Sequence, residues 1–277
     1  MKDLWDDDGA AECGDDLLAL RVYSSRLIGQ SADLVLHGGG NTSVKASFTD
    51  IFGVAHDVLY VKGSGWDLAT IAAAGFAPVK LDSLLQLSRF DRLSDADMVR
   101  AQRAAMLDSS APTPSVEAIL HALIPYRFVD HTHADAVVAL SNTPDGEAKI
   151  RSLYGDLMLI VPYVMPGFVL AKKVAELTAG IDWSKLEGMV LMNHGIFSFA
   201  DDAKESYQRM IHFVSQAQDA LGQRPSPSAD SVAVLPLALA ALRREVSRVA
   251  GTAMLARFDG TPASHAFANN ENVRDIA

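Results

Sequence analysis

Residues 113–139, TPSVEAILHALIPYRFVDHTHADAVVA, constrain this chain more than any other stretch. Thr113 is placed to cap a helix opened by Pro114, and Val116, Ile119, Leu120, Leu123 and Ile124 recur at helical spacing until Pro125 stops the run. Glu117 then belongs to the first turn. Residues 128–133, FVDHTH, form a short strand pattern in which side chains two apart share a face, so His131 and His133 point the same way. Two imidazoles on one side of a strand can chelate a divalent transition metal, with further ligands supplied from elsewhere. By spacing alone, the pair fits equally well two histidines hydrogen-bonded at a strand end. Asp130 either orients a ligand imidazole from behind or ends the strand.

The chain has 277 residues, 49% of them hydrophobic, enough for a large core in one big domain or a domain with an appendage. A net charge of -10 argues against a nucleic-acid-binding or anionic-membrane surface, yet leaves room for a local basic pocket holding an anionic substrate. Cys13 is the only cysteine, so there is no intrachain disulfide and no cysteine-cluster metal site, as expected in a reducing compartment. The acidic start, MKDLWDDDGAAECGDD, lacks the basic and apolar segments of a signal peptide, and the apolar run 232–242 is broken by Pro236. A cytoplasmic protein without a membrane partner is expected.

Helical periodicity is expected over 17–28, 81–87, 95–107 and 134–140, and strands over 44–48, 58–62, 157–161 and 188–193. Two glycine loops stand out. The first, His37-Gly38-Gly39-Gly40-Asn41-Thr42-Ser43, is either a glycine hairpin or a set of backbone amides aimed at an anion. A dinucleotide fingerprint needs a third glycine where Ser43 stands, and a helix where a strand pattern follows. The second, Gly63-Ser64-Gly65-Trp66-Asp67, precedes a helical pattern over 68–74 whose first amides could hold an anion. Asp202, with Glu205 three residues on, opens a long helix carrying Tyr207, Met210, Ile211, Val214 and Leu221 on one stripe. Residues 222–231 read as a Pro/Ser-rich linker, 232–255 as mostly helical, and 262–277 as polar and loop-like.

The order P-S-x-E, a helix, then a strand ending D-H-T-H-A-D resembles the metal-binding half of the class II aldolase/adducin superfamily. Within it, the chain looks most similar to the aldolase portion of rhamnulose-1-phosphate aldolase/alcohol dehydrogenase fusion proteins. Upstream, Gly40-Asn41-Thr42-Ser43 matches the family's G-N-x-S loop and Lys62-Gly63-Ser64-Gly65 its K-x-S-G loop, which together grip a substrate phosphate. The resemblance therefore implies substrate contacts at Gly40, Asn41, Ser43, Ser64, Gly65 and Ser115. It implies a third metal histidine at His194, in an H-G motif, and a catalytic tyrosine at Tyr163, in a P-Y-x-x-x-G segment reaching into a neighbouring subunit of a homotetramer.

The function so implied is a divalent-metal aldolase, zinc by default, with His131, His133 and His194 as ligands. Glu117 moves the proton in retro-aldol cleavage of a sugar phosphate or keto acid through a metal-bound enediolate. Gly38 and Val116 stand where family sugar-phosphate aldolases often carry hydroxyl residues, so a carboxylate or sugar acid is also open as substrate. The same ligands serve a decarboxylase or epimerase, and an adducin-like binding module is the reading from another class. The expected fold is α/β: a catalytic domain over 1–222, with a central, mainly antiparallel sheet flanked by helices, then a linker and helical tail over 223–277.

Overall fold

The computed structural model describes residues 1–222, 235–258 and 260–269. The chain divides into two compact units, Met1–Gly222 and Gln223–Ala277. The first contains helices α1 (Asp7–Ala11), α2 (Leu17–Gly29), α3 (Leu81–Leu87), α4 (Asp95–Ala104), α5 (Ala118–Leu123), α6 (Asp135–Ser141), α7 (Gly146–Tyr154), α8 (Phe168–Leu177) and α9 (Ala203–Leu221). Its strands are β1 (Asn41–Thr49), β2 (Ala55–Lys62), β3 (Phe76–Lys80), β4 (Phe128–Thr132), β5 (Met158–Val161), β6 (Gly188–Leu191) and β7 (Gly195–Ala200). They form one seven-stranded sheet in the order β3-β2-β1-β4-β7-β6-β5, antiparallel at every pairing except β5 with β6.

Side-chain alternation sends the sheet's two faces into two cores. On β7, Ile196 packs with Val190, Val137, Met210 and Val214, whereas Phe197 and Phe199 join Val129, Ile119, Leu120 and Leu170 on the other face. Helices α2, α6, α7 and α9 thus cover one face, and α3, α4, α5 and α8 the other. The same alternation splits β4. His131 stacks on Phe197 at 4.2 Å between ring centroids, on the α5 side. Asp130 and Thr132 turn to the α2/α9 side, where the Thr132 hydroxyl meets Met210 Sδ at 3.2 Å.

Asp130 neither orients a ligand nor ends the strand. It pairs with Arg21 of α2 at 2.6 Å, both side chains 0% exposed, and accepts from Ser206 Oγ at 2.5 Å. Helix α2 forms because Asp16 caps it, accepting from the Leu18 and Ala19 amides, but its inward face carries Arg21, Ser24 and Ser25 beside Leu27 and Ile28.

Several local expectations are corrected. Helix α5 begins at Ala118 with Glu117 as its N-cap residue, because Pro114 bridges to Gly63 while Ser64 N and Ser115 N donate to Thr113 O and Lys62 O. That pairing holds residues 113–115 extended against the end of β2, and the Thr113 hydroxyl accepts from Arg103 instead of capping. Residues 68–70 form a turn and Ala73–Gly75 a single 3-10 turn, in place of the helix expected over 68–74. Arg26 Nε of α2 donates to the Ile71 carbonyl at 2.7 Å, tying this segment to α2 through a carbonyl that a continuing helix would use. On the α9 stripe, Tyr207, Met210, Ile211 and Val214 are buried, and Leu221 at the helix end is 46% exposed.

The β3 edge is covered. Val79 bridges to Met106, Leu107 N donates to Pro78 O, and Lys80 N donates to Ala105 O. In the second unit the described residues form α10 (Pro236–Ala250), with Pro236 in its first turn and Gly251 closing it in left-handed backbone, and α11 (Pro262–Ala268). The loop expected from residue 262 is therefore a helix as far as Ala268, capped by Thr261, whose hydroxyl accepts from Ser264 N. The linker expected at 222–231 lies, beyond Gly222, outside the described residues. Among the described residues no helix is long and apolar enough to cross a membrane.

Candidate metal centre

β4 and the β6–β7 turn bring three histidines together. His131 sits on β4, His133 one residue past its end, and His194 in the turn, where Asn193 adopts φ 60°. One ring nitrogen from each lies within 4.8 Å of the others, and the ring centroids are 4.9, 5.0 and 5.2 Å apart. Gly195 makes this convergence possible. A Cβ there would meet Thr132 O at 2.4 Å, His131 Cε1 at 3.0 Å and His133 Cδ2 at 3.2 Å. Gly40 is as tightly placed on the other side: it has φ 62°, and a Cβ would meet Val35 Cγ1 at 2.6 Å and the His131 carbonyl at 2.8 Å.

Burial holds all three imidazoles neutral. Desolvation is the main cause of a lowered pKa for each, and His131, 0% exposed, falls well below the ordinary histidine range. The His131 tautomer follows from its partner. A carbonyl only accepts, so Nδ1 carries the proton donated to Ile196 O at 3.1 Å, and Nε2 keeps its lone pair. Nε2 has no hydrogen-bond partner, and neither do the buried Glu117 Oε1 and His194 Nδ1. Leaving a buried polar atom unmet costs about 1–3 kcal/mol. A divalent cation among the rings would satisfy the His131 lone pair, so the residues fit such an ion, and the donor set of three nitrogens suits zinc or a neighbouring transition metal.

Glu117 closes the site from the start of α5. Its Oε2 lies 3.4 Å from His131 Nε2 and its Oε1 3.4 Å from His194 Nε2. Desolvation raises its pKa against the opposing pull of His194, the Asn41 amide and Lys62. Asn41 Nδ2 donates to Glu117 Oε2 at 2.6 Å. Behind it, His121 Nε2 contacts Asn41 Oδ1, and His121 Nδ1 meets Ser43 Oγ at 2.7 Å. Lys45 ties the end of α5 to β1 by donating from Nζ to the carbonyls of His121, Ile124 and Tyr126 at 2.9, 2.6 and 2.7 Å.

A cavity of about 270 Å³ opens onto Glu117, His133 and His194. Gly40, Asn41, Ser64, Gly65 and Ser115 line it as the sequence suggests. Ser43 does not: it is fully buried behind Asn41, bound to His121, because successive residues of β1 on this face point towards α5. Lys62 also lines the cavity, with Nζ donating to Gly38 O at 2.8 Å and burial drawing its pKa down to about 8. It stood in the K-x-S-G stretch, where the charge was the available signal. Tyr163, 55% exposed on the loop after β5, does not line the cavity of its own chain, although Pro166 of that loop does. A larger cavity of about 440 Å³, lined by Leu140, Thr143, Lys149, Ser152, Leu153, Ala220 and Leu221, offers a single ionisable side chain and no comparable chemistry.

A seven-stranded α/β sheet with three histidines from β4 and the β6–β7 turn, closed by a carboxylate at a helix start, defines a class II aldolase-like protein. The chain belongs to that family: residues 21–221 match the Class II Aldolase and Adducin N-terminal domain. It is 41% identical to the N-terminal class II aldolase domain of a conserved protein from Thermoplasma acidophilum, with a TM-score of 0.71 over 80% of this chain and 99% of that one. It is 37% identical over 224 residues to YuxG of Bacillus subtilis, described as an uncharacterized oxidoreductase, covering 81% of this chain but only 32% of that protein. YgbL of Klebsiella pneumoniae, described as a putative aldolase/epimerase/decarboxylase, shares the fold at 18% identity and a TM-score of 0.51, over 75% of this chain and 90% of that one.

Proposed function

We propose that Met1–Gly222 is a divalent-metal aldolase, zinc-loaded by default, that cleaves a small sugar phosphate or keto acid by a retro-aldol reaction. The observation that carries this is Glu117, buried, 3.4 Å from two imidazoles that offer ligand nitrogens, in a cavity that Lys62 also lines. His131, His133 and His194 are the ligands. The bound ion supplies Lewis acidity towards a substrate carbonyl.

The chain's own groups do the rest. Glu117, with its pKa raised by burial, can take and return a proton beside that carbonyl, held in place by Asn41. Lys62, Ser64, Ser115, Gly40 and Gly65 line the same cavity, so a cationic side chain and two hydroxyl residues are available to an anionic group. A phosphate or a carboxylate is such a group.

Tyr163 faces outward from its own chain. We assign it, on the family resemblance alone, the role of proton donor to the aldehyde oxygen in a neighbouring copy's site of a cytoplasmic homotetramer. Mixing Tyr163→Phe with His133→Ala subunits should then restore activity that neither has alone, and verified mixed oligomers that stay inactive would exclude the borrowed tyrosine.

The test of the whole reading is metal analysis of protein purified without chelators, followed by a retro-aldol screen of phosphorylated and unphosphorylated ketoses, sugar acids and 2-keto acids. Zinc near one per chain and aldehyde release are expected, with Glu117→Gln retaining the metal and losing turnover. Protein that holds no metal, and takes up none when zinc is added, overturns the reading in favour of a non-catalytic binding module.

A further inference from the structure

Four side chains from two stretches far apart in sequence, Asn41 and Ser43 on one and Glu117 and His121 on the other, form a continuous buried chain behind the metal centre. Ser43 is 0% exposed, His121 0%, Asn41 6% and Glu117 4%. Ser43 Oγ lies 2.7 Å from His121 Nδ1, His121 Nε2 contacts Asn41 Oδ1, and Asn41 Nδ2 lies 2.6 Å from Glu117 Oε2. Each link has a donor and an acceptor, so the direction of one fixes the direction of all.

An ionised carboxylate only accepts, which obliges Asn41 to turn its NH₂ end to Glu117 and its Oδ1 to His121. His121 must then donate from Nε2. A neutral imidazole carries one proton, so Nδ1 is an acceptor and the Ser43 hydroxyl donates to it. Burial and the nearby Lys45 and Arg21 charges keep this ring neutral. In the opposite tautomer Nε2 would accept from Asn41, whose Oδ1 would swing towards Glu117 and oppose the carboxylate with a second oxygen. The proton on His121 therefore selects which end of Asn41 faces the site.

We propose that His121 is a positioning residue, its Nε2–H holding the Asn41 amide so that the NH₂ end clamps Glu117 Oε2. Ser43 sets the ring's tautomer. This rests on Glu117 being the proton-carrying group proposed above. His121 does not line the cavity, and its hydrogen-bonded route to Glu117 runs through Asn41.

Nitrogen-15 NMR of the histidine rings in the full-length protein tests the relay without any substrate. His121 should show a protonated Nε2 and an unprotonated Nδ1, and Ser43→Ala should perturb the Nδ1 resonance. A ring protonated at Nδ1, at both nitrogens, or averaging between tautomers overturns the proposal. A second arm uses the substrate found by the retro-aldol screen. His121→Leu should lower kcat about 10–100-fold with KM and zinc content unchanged, the loss typical of a support one step removed from a site. His121→Gln, whose Nε2 can donate from nearly the same place, should recover most of it. Equal losses in both variants at full zinc occupancy overturn the positioning role. If no compound in the screen turns over, the aldolase reading fails while the ring tautomer still decides the relay.

Discussion

The Arg21–Asp130 pair offers the most direct check on how the ligand strand is held. Both side chains are 0% exposed and 2.6 Å apart, linking α2 to β4 one residue before His131. Arg21→Met leaves the carboxylate buried without its counter-charge, and removing one partner of such a pair costs about 3–5 kcal/mol. Against a folding free energy of about 5–15 kcal/mol, that is a large share of the total. With a urea slope of about 3 kcal/mol/M, the midpoint should fall by about 1–1.7 M. Asp130→Asn strands the guanidinium in the same way. The double variant Arg21→Met/Asp130→Asn has no buried charge left to desolvate, so it should be more stable than the sum of the single losses predicts, with a coupling of about 2 kcal/mol or more. Urea unfolding of the zinc-loaded protein at pH 7 measures all four corners of the cycle. Zinc affinity supplies an independent readout. Asp130 faces away from His131, whose Nδ1–H is held by the Ile196 carbonyl, so Asp130→Asn should leave zinc binding unchanged. A group that orients a ligand would weaken it about 10–100-fold when removed. A single-variant cost below about 1 kcal/mol, or strictly additive losses, would refute the account of this pair.

Gly195→Ala places a methyl 2.4 Å from Thr132 O and against two ligand rings, so it should cost about 1–3 kcal/mol in urea unfolding and reduce zinc occupancy measured by elemental analysis. Chelating the metal should lower the melting temperature. Restoring zinc to 100 times its Kd should return about 2.7 kcal/mol, a gain absent from His131→Ala. Burial draws Lys45 down to about 7, whereas an unfolded lysine titrates near ~10.4. Between those values the unfolded chain binds the extra proton, so stability rises with pH across roughly 7–10. The slope difference between wild type and Lys45→Met should approach ~1.4 kcal/mol per pH unit, and identical slopes would show that Lys45 does not titrate in this window.

What the sequence disclosed depended on whether the deciding interaction was local. The H-x-H alternation and the apolar periodicity of α2 are set within a few residues, and the structure keeps both. The start of α5 was not legible, because Thr113 and Pro114 carry a sound capping pattern that pairing with β2 overrides. Strand β3 contains Pro78, which speaks against a strand unless the strand lies at an edge. Helix α8 begins after Gly167 with no local cap, and its first amide is met by Asp95, 73 residues away. Asp130 looked like a candidate for the site because its neighbour was. Nothing in the residues around it announces that its partner is an arginine on the buried face of α2. In the same way His121 could be placed one turn after Glu117, but its partners Asn41 and Ser43 lie 80 and 78 residues away.

The covered border at β3 bears on how copies of this chain can meet. A row of bare amides and carbonyls invites another molecule to add a strand, and runaway addition is the route to fibrils. Here Pro78 supplies no N–H, and residues 105–107 occupy the carbonyl of Pro78, the amide of Lys80 and the bridge at Val79. Growth by zippering is blocked on that flank, so any lasting association of copies there must be made by side chains.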